Sequence, residues 1–207
     1  MSTKSALAQQ LAIVAGFENP NVSPEQYRTP PELAAHLVHT ADLQGDIEDR
    51  TVVDLGCGTG MLALGAALRG PTQVLGLDID PAPLQTAREN ERKVASASAV
   101  EWLRADATQA PLCPDEPTTV IMNPPFGAQS GNEHADRAFL ATASDIAAVS
   151  YSIHNAGSES FVESFAADNG GDVTHAFQAE FELPHQFDHH TEEKQTVEAE
   201  VFRIEWH

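Results

Sequence analysis

The sequence predicts an α/β domain: a mostly parallel sheet covered on both faces by helices and closed by a long antiparallel pair. Three observations carry this. Between residues 51 and 168, short apolar runs rich in β-branched residues alternate with helical patterns, the arrangement of repeated strand–helix–strand units. A glycine-rich turn, Gly56 to Gly60, directly follows the first of these runs and directly precedes a helical pattern. Two long segments with period-two alternation, Val173 to Leu183 and Thr196 to Trp206, lie near the carboxyl end.

The elements are justified in order. Residues 3–15 read as a helix because Leu7, Leu11 and Val14 fall on one stripe. A loop rich in Asn and Pro follows, and Tyr27-Arg28-Thr29-Pro30 leads into a helix over Pro31 to Thr40, since proline fits the first turn. Asp42 to Asp49 reads as polar linker. Strands are expected at 51–55, 73–78, 100–105, 118–122 and 146–152, and helices at 61–68, 81–93, 133–143 and 158–168. The 207 residues are enough for one domain with a full core.

Composition narrows the setting. The net charge is −20, from 31 acidic and 11 basic residues, and Lys4, Lys93 and Lys194 are the only lysines. Such a surface repels phosphate at low salt, which excludes a non-specific nucleic-acid binder there. Concentrated salt shortens the reach of that repulsion, so a high-salt cytoplasm, as in halophilic archaea, is the expected environment. Cys57 and Cys113 form neither a disulfide framework nor a zinc set. No apolar stretch has the length of a membrane span, and residues 1–7 lack a signal core.

Two sets of residues carry chemistry. Asp54-Leu55-Gly56-Cys57-Gly58-Thr59-Gly60 lets the chain turn sharply and brings backbone N–H groups close to a ligand. Asp78 ends the second strand, where a carboxylate accepts both ribose hydroxyls. These features alone serve NAD or S-adenosylmethionine. Asp54 at the lip of the turn favours a cationic amino-acid head and repels a pyrophosphate, and Asp106-Ala107 after the third strand offers an acceptor to an adenine amine. Asp54 as a helix cap and Asp106 as a plain surface turn are the competing readings. With all three positions counted, S-adenosyl-L-methionine leads.

The second set is Asn123-Pro124-Pro125-Phe126, after the apolar run Thr118 to Met122. In parallel open sheets ligands bind at the carboxyl ends of strands. Asn123 offers an acceptor and two donors, the Pro124 carbonyl a further acceptor, and Phe126 a flat apolar face. Together they suit a planar group with an exocyclic amine. Asn-Pro also begins ordinary turns, and a following Phe can be a core anchor.

With these residues in view, the chain resembles the archaeal and eukaryotic ribosomal-RNA adenine N6 methyltransferase family. The resemblance runs through Gly16 to Pro20, Glu25-Gln26-Tyr27-Arg28-Thr29-Pro30, the glycine turn, Gly76 to Asp80, Met122 to Gly127, Ala138 to Leu140, Tyr151-Ser152-Ile153-His154 and Val201 to Trp206. It implies a class I methyltransferase sandwich with the seven-stranded order 3-2-1-4-5-7-6. It implies that residues 1–48 form a helical extension from which Gln26, Tyr27 and Thr29 close over the cofactor. It assigns Asp54 and Gly56 to the methionine part, Asp78 to the ribose, and Asp106 and Ala107 to the adenine, with Gly58, Ile79 and Asn123 also among the cofactor-binding residues. It places His154 near the rim of the active site. It also implies two partners: ribosomal RNA, and a small zinc-containing activator protein at the edge of the third strand, Val100 to Ala105. There Val100, Trp102 and Leu103 would be a liability if left bare, unless Trp102 packs inward.

The implied reaction is methylation of an adenine amine, with Asn123 and Pro124 orienting the nitrogen and Phe126 stacking on the base. Three rivals stand beside it. Glutamine N5 methylation of a release factor poses the same amide problem, but those enzymes usually carry Tyr where this chain has Phe126. DNA adenine methylation lacks a recognition domain and basic groove here, and the intact Asp54, Asp78 and Asn123 argue against a silent binding subunit. His134, His185, His189 and His190 read as helix and surface-loop residues. The acidic, His-rich connection at 186–193 departs from the basic connection of similar proteins.

Overall fold

The computed structural model describes residues 3–17, 28–94, 96, 98–125, 135–183 and 195–207. Six helices, α1 (Lys4–Leu11), α2 (Pro31–Leu43), α3 (Met61–Ala67), α4 (Pro81–Val94), α5 (Ala135–Ile146) and α6 (Glu159–Asp168), pack on one sheet. Its strands are β1 (Thr51–Leu55), β2 (Gln73–Asp78), β3 (Val100–Arg104), β4 (Thr118–Met122), β5 (Val149–Asn155), β6 (Gly171–Leu183) and β7 (Gln195–Trp206). The order is β3-β2-β1-β4-β5-β7-β6, as expected. The first five strands are parallel, and β7 runs antiparallel to both of its neighbours.

Period-two alternation divides the core. Val52, Val74, Ile121, Tyr151, Ile153 and Val201 face a cluster built with α1, α2 and α3. Val53, Leu55, Val120, Met122, Phe202 and Ile204 face a second cluster under α5 and α6. β1, β2, β4 and β7 thus supply both layers, which is why β1 and β4 are buried on two faces. Leu7 and Leu11 are buried as the stripe requires; Thr3 caps α1 by accepting from the Ala6 N–H, and the α-helix stops at Leu11.

Two boundaries differ from the sequence reading. Ile146 closes α5, and the fifth strand begins at Val149 and continues through Asn155. The apolar run 146–149 carries no period that separates a helix end from a strand start. The supposed polar linker at 42–49 begins inside α2, and two of its members, Asp46 and Ile47, are fully buried.

Asp46 is a hub. Its carboxylate accepts from Arg203 Nε at 2.8 Å and Tyr151 Oη at 2.7 Å, while its carbonyl accepts from Thr119 Oγ1 at 2.6 Å. It therefore ties the connection after α2 to β4, β5 and β7. Burial, and behind it the bond to Asp46, pushes the Tyr151 hydroxyl upward from its ordinary range.

The sheet edge also needs a correction. Trp102 lies inward: a Cβ added to Gly76 would come within 2.6 Å of its ring, so only glycine leaves the indole its place. Its Nε1 donates to Glu91 at 2.8 Å. The exposed apolar side chains near this edge are Leu103 and Ile79.

Candidate active site

The carboxyl ends of β1, β2 and β4 converge on one recess, bordered by Phe17, Arg28, Thr29, Asp54, Gly58 and Asn123. Gly58 sits there with φ of +52° and the Phe17 ring directly over it, 2.9 Å from where a Cβ would stand. Both the backbone conformation and the space demand glycine.

That turn is locked to Asp78. The Gly58 N–H donates to Oδ2 at 2.8 Å and the Asp80 N–H to Oδ1 at 2.9 Å. Burial pushes the Asp78 carboxyl upward, and the backbone donors pull it back. A carboxylate has about four lone-pair sites; these two bonds leave room for the hydroxyls of a ribose.

Asp54 is 1% exposed. It does serve as a cap, because Oδ2 accepts from the Ala63 N–H at 2.8 Å in the first turn of α3. Burial, with a smaller contribution from the Asp78 charge, raises its pKa to about 8. At the lip of the turn it is a buried acid, not an open anion, with its pKa well above the ordinary carboxylate range.

Asn123 stands at the end of β4. Its Nδ2 donates to Thr29 Oγ1 at 2.9 Å, while its Oδ1 is buried and accepts nothing among the described residues. A buried acceptor left unmet costs roughly 1–3 kcal/mol, so this oxygen suits a donor from water or a ligand. Pro124 is buried beside it and Pro125 half-buried. Thr29, expected on the cofactor, holds the catalytic candidate instead of being only a cofactor contact.

Asp106 is exposed and caps a short 3-10 turn, with Oδ1 accepting from both the N–H and the hydroxyl of Thr108. The Ala107 side chain belongs to the second core cluster. Ile79 is exposed, and its carbonyl accepts from Arg104 Nε. Gln26, Tyr27, Phe126, His134, His185, His189 and His190 lie outside the described residues. His154 is not at a rim. It is 2% exposed, edge-on to Phe161 and Phe202, and burial lowers its pKa to about 4.

Two residues escaped the sequence reading. Asn90 of α4, fully buried, exchanges two hydrogen bonds with the backbone of Ala15 and donates to the Thr59 carbonyl. It pins the segment after α1 to the glycine turn. Its spacing from the buried Ala87 and Leu84 was the only signal. Arg28 borders the recess with its Nε buried and unpaired. No cluster of three or more candidate metal ligands occurs among the described residues.

The arrangement has the parts of a class I methyltransferase: a glycine turn, an acid ending β2 and an amide ending β4. Residues 33–149 match the family described as methyltransferase small domain. A proposed RNA methyltransferase from Pyrococcus horikoshii superposes with a TM-score of 0.87 at 37% identity, over 100% of this chain and 98% of that one. The rRNA N6-adenosine-methyltransferase Mettl5 of Drosophila melanogaster is 32% identical over 96% of this chain and 94% of its own length. An uncharacterised protein of Methanocaldococcus jannaschii is 35% identical over 99% and 95%. The chain belongs to the family of the rRNA N6-adenosine-methyltransferases, within the methyltransferase small-domain group.

Proposed function

We propose that this protein methylates N6 of an adenosine in ribosomal RNA, using S-adenosylmethionine. One observation carries the reading: the buried Asn123 Oδ1 that accepts nothing among the described residues, fixed in direction because Thr29 occupies the other end of the amide. When bound, S-adenosylmethionine supplies an electrophilic methyl group on a sulfonium.

The residues divide the remaining work. An adenine amine is a poor nucleophile because its lone pair is delocalised into the ring. Asn123 Oδ1 accepts one amine hydrogen and the Pro124 carbonyl the other, which draws the nitrogen toward tetrahedral geometry and frees the lone pair. The gain is orientation and fixed dipoles, so no base is required for the attack, and the surplus proton on the methylated nitrogen passes to water afterwards. Pro125 stiffens the loop, and Phe126 stacks on the base. Asp78 takes the ribose hydroxyls, Asp54 and Gly56 the methionine side, and Asp106 and the Ala107 backbone the adenine amine, with Gly58 and Ile79 also on the cofactor. Gln26, Tyr27 and Thr29 close the site from the extension at 1–48, which with the rest forms one domain. A looped adenosine suits the site, because a paired one must first be unstacked.

The setting follows from charge. At −20 the protein meets RNA best in a high-salt cytoplasm, where the screening length shrinks to about 3 Å at 1 M. No helix among the described residues is long and apolar enough to cross a membrane. The outer edge of β3, with Leu103 exposed, is where a small zinc-containing activator pairs.

The test is nucleoside analysis of ribosomal RNA treated with the protein, its activator and labelled cofactor in high salt. N6-methyladenosine is expected. Asn123→Ala should lower turnover about 10²–10³-fold, the scale of losing one oriented group in an active site, with cofactor affinity unchanged. Robust methylation of a glutamine peptide with silent RNA would overturn the reading.

A further inference from the structure

We propose that Arg28 is the carboxylate clamp for the amino-acid head of the cofactor, an inference that rests on the methyltransferase reading above. The recess supplies the argument through its charges. Arg28 borders it together with Asp54 and Asn123, and Asp78 locks its glycine turn. The head of S-adenosylmethionine carries a cationic sulfonium and ammonium and one anionic carboxylate. Asp54 suits a cation. The carboxylate would meet like charge from Asp78, and from Asp54 when it is ionised; two like charges about 4 Å apart repel by about 4 kcal/mol at an effective dielectric of 20. A cation has to stand between them, and Arg28 is the one cationic side chain bordering the recess among the described residues.

Its placement supports the role. The aliphatic stem of Arg28 lies across Gly16, 3.1 Å from where a Cβ would stand there. The neighbouring Ala15 is bonded on both backbone groups to Asn90. The arginine is thus held against the recess by the same contact that holds the extension to the glycine turn. Its Nε is buried and accepted by nothing, and it makes no ion pair within 4 Å among the described residues. Glu32 is its main acidic influence and is exposed. Burial lowers the guanidinium pKa, and Glu32 only partly offsets this. A half-buried guanidinium whose Nε is buried and unmet is matched by a carboxylate, which guanidinium binds through paired hydrogen bonds.

The inference is tested by calorimetry with S-adenosylmethionine and with its decarboxylated analogue, which keeps the sulfonium, adenosine and ammonium but lacks the carboxylate. Wild type should bind the intact ligand roughly ten- to a hundredfold more tightly, the range expected of a charge-assisted hydrogen bond. Arg28→Gln should erase that preference: affinity for the intact ligand falls by the same factor, and that for the analogue stays within about twofold. Arg28→Lys keeps the charge and loses the planar fork, so it should retain part of the preference. It also carries the test if thermal melting shows the Gln variant unfolded. Equal weakening of both ligands, or a preference that survives in Arg28→Gln or is unchanged in Arg28→Lys, would overturn the clamp while leaving the methyltransferase reading intact. A wild-type protein that binds neither ligand overturns both.

Discussion

Asp46 and Asp54 are both 1% exposed, and they lie at opposite ends of one argument about burial. Asp46 sits under β5 and β7, where Arg203 and Tyr151 answer its carboxylate at 2.7–2.8 Å and Arg50 approaches at 3.6 Å. Asp54 sits under the glycine turn, answered by the Ala63 N–H. Burial lifts the Asp54 pKa to about 8. A carboxylate surrounded by protein donors holds a fold together; a carboxylate left with capacity is held for something that arrives later. The same contrast separates the buried amides: Asn90 spends its groups on the chain, and Asn123 keeps its acceptor free.

The comparison breaks first, and hardest, at Asp46. Asp46→Ala takes from Arg203 its buried carboxylate partner at Nε and leaves only the half-exposed Glu205 to answer the charge, so unfolding free energy should fall by about 3–5 kcal/mol. At about 2–4 °C per kcal/mol for a domain of this size, the melting temperature drops by roughly 6–20 °C. Cofactor affinity of the folded fraction should not change. A mild loss of stability accompanied by weak cofactor binding would reverse the roles assigned to the two aspartates.

Asp54→Asn should do the opposite. Cofactor affinity is expected to fall at least about tenfold, or 1.4 kcal/mol, measured by titration, with the cap to Ala63 retained through the amide oxygen. The empty protein should be no less stable above pH 8.

The pH dependence sharpens this further. Folding raises the Asp54 pKa from 3.8 to about 8, so across that window the folded state binds a proton that the unfolded state does not. Stability of the empty protein from this group must then fall as pH rises from about 4 to 8, and Asp54→Asn should remove that slope. His154 opposes it: its pKa drops from 6.5 to about 4, so its contribution is lost as pH falls through that range. Denaturant titrations at several pH values, with His154→Gln alongside, separate the two. Cofactor affinity should rise toward pH 8 as Asp54 releases its proton.

The smallest effect is expected at Thr29. Thr29→Val keeps the shape but removes the acceptor for Asn123 Nδ2, so turnover should fall about tenfold, near 1.4 kcal/mol of transition-state orientation. Thr29→Ser should restore it. Loss of cofactor affinity with normal turnover of the bound complex would return Thr29 to a plain cofactor contact.

These residues also show where reading the sequence succeeds. The β1 and β4 boundaries were legible because both strands are apolar on two faces and end at a glycine or at Asn123. Asp78 was legible because it terminates a strand at the ligand end of the sheet. Asp46 was not, because its partners Tyr151 and Arg203 lie 105 and 157 residues away, and locally it is one acid among polar neighbours. Asn90 hid for the same reason, its contacts with Ala15 spanning 75 residues. Trp102 looked like bare edge because its pocket is made by Gly60 and Gly76, whose contribution is an absent side chain. Composition and period report neighbours along the chain, and these groups are defined by neighbours across it.

The Asn90 contact sets a timetable for the growing polypeptide. Residues 4–15 are made before the anchor of Ala15, which follows about 75 residues later. At ~5–20 residues per second that is a wait of about 4–15 s. For the first part of it, until α3 at 61–67 is made, Leu7, Leu11 and Val14 lack one of the faces that bury them in the end. The clasp that Asn90 makes between Ala15 and Thr59 therefore makes this stretch one of the later ones to settle, and it leaves apolar side chains of the nascent chain in need of protection until then.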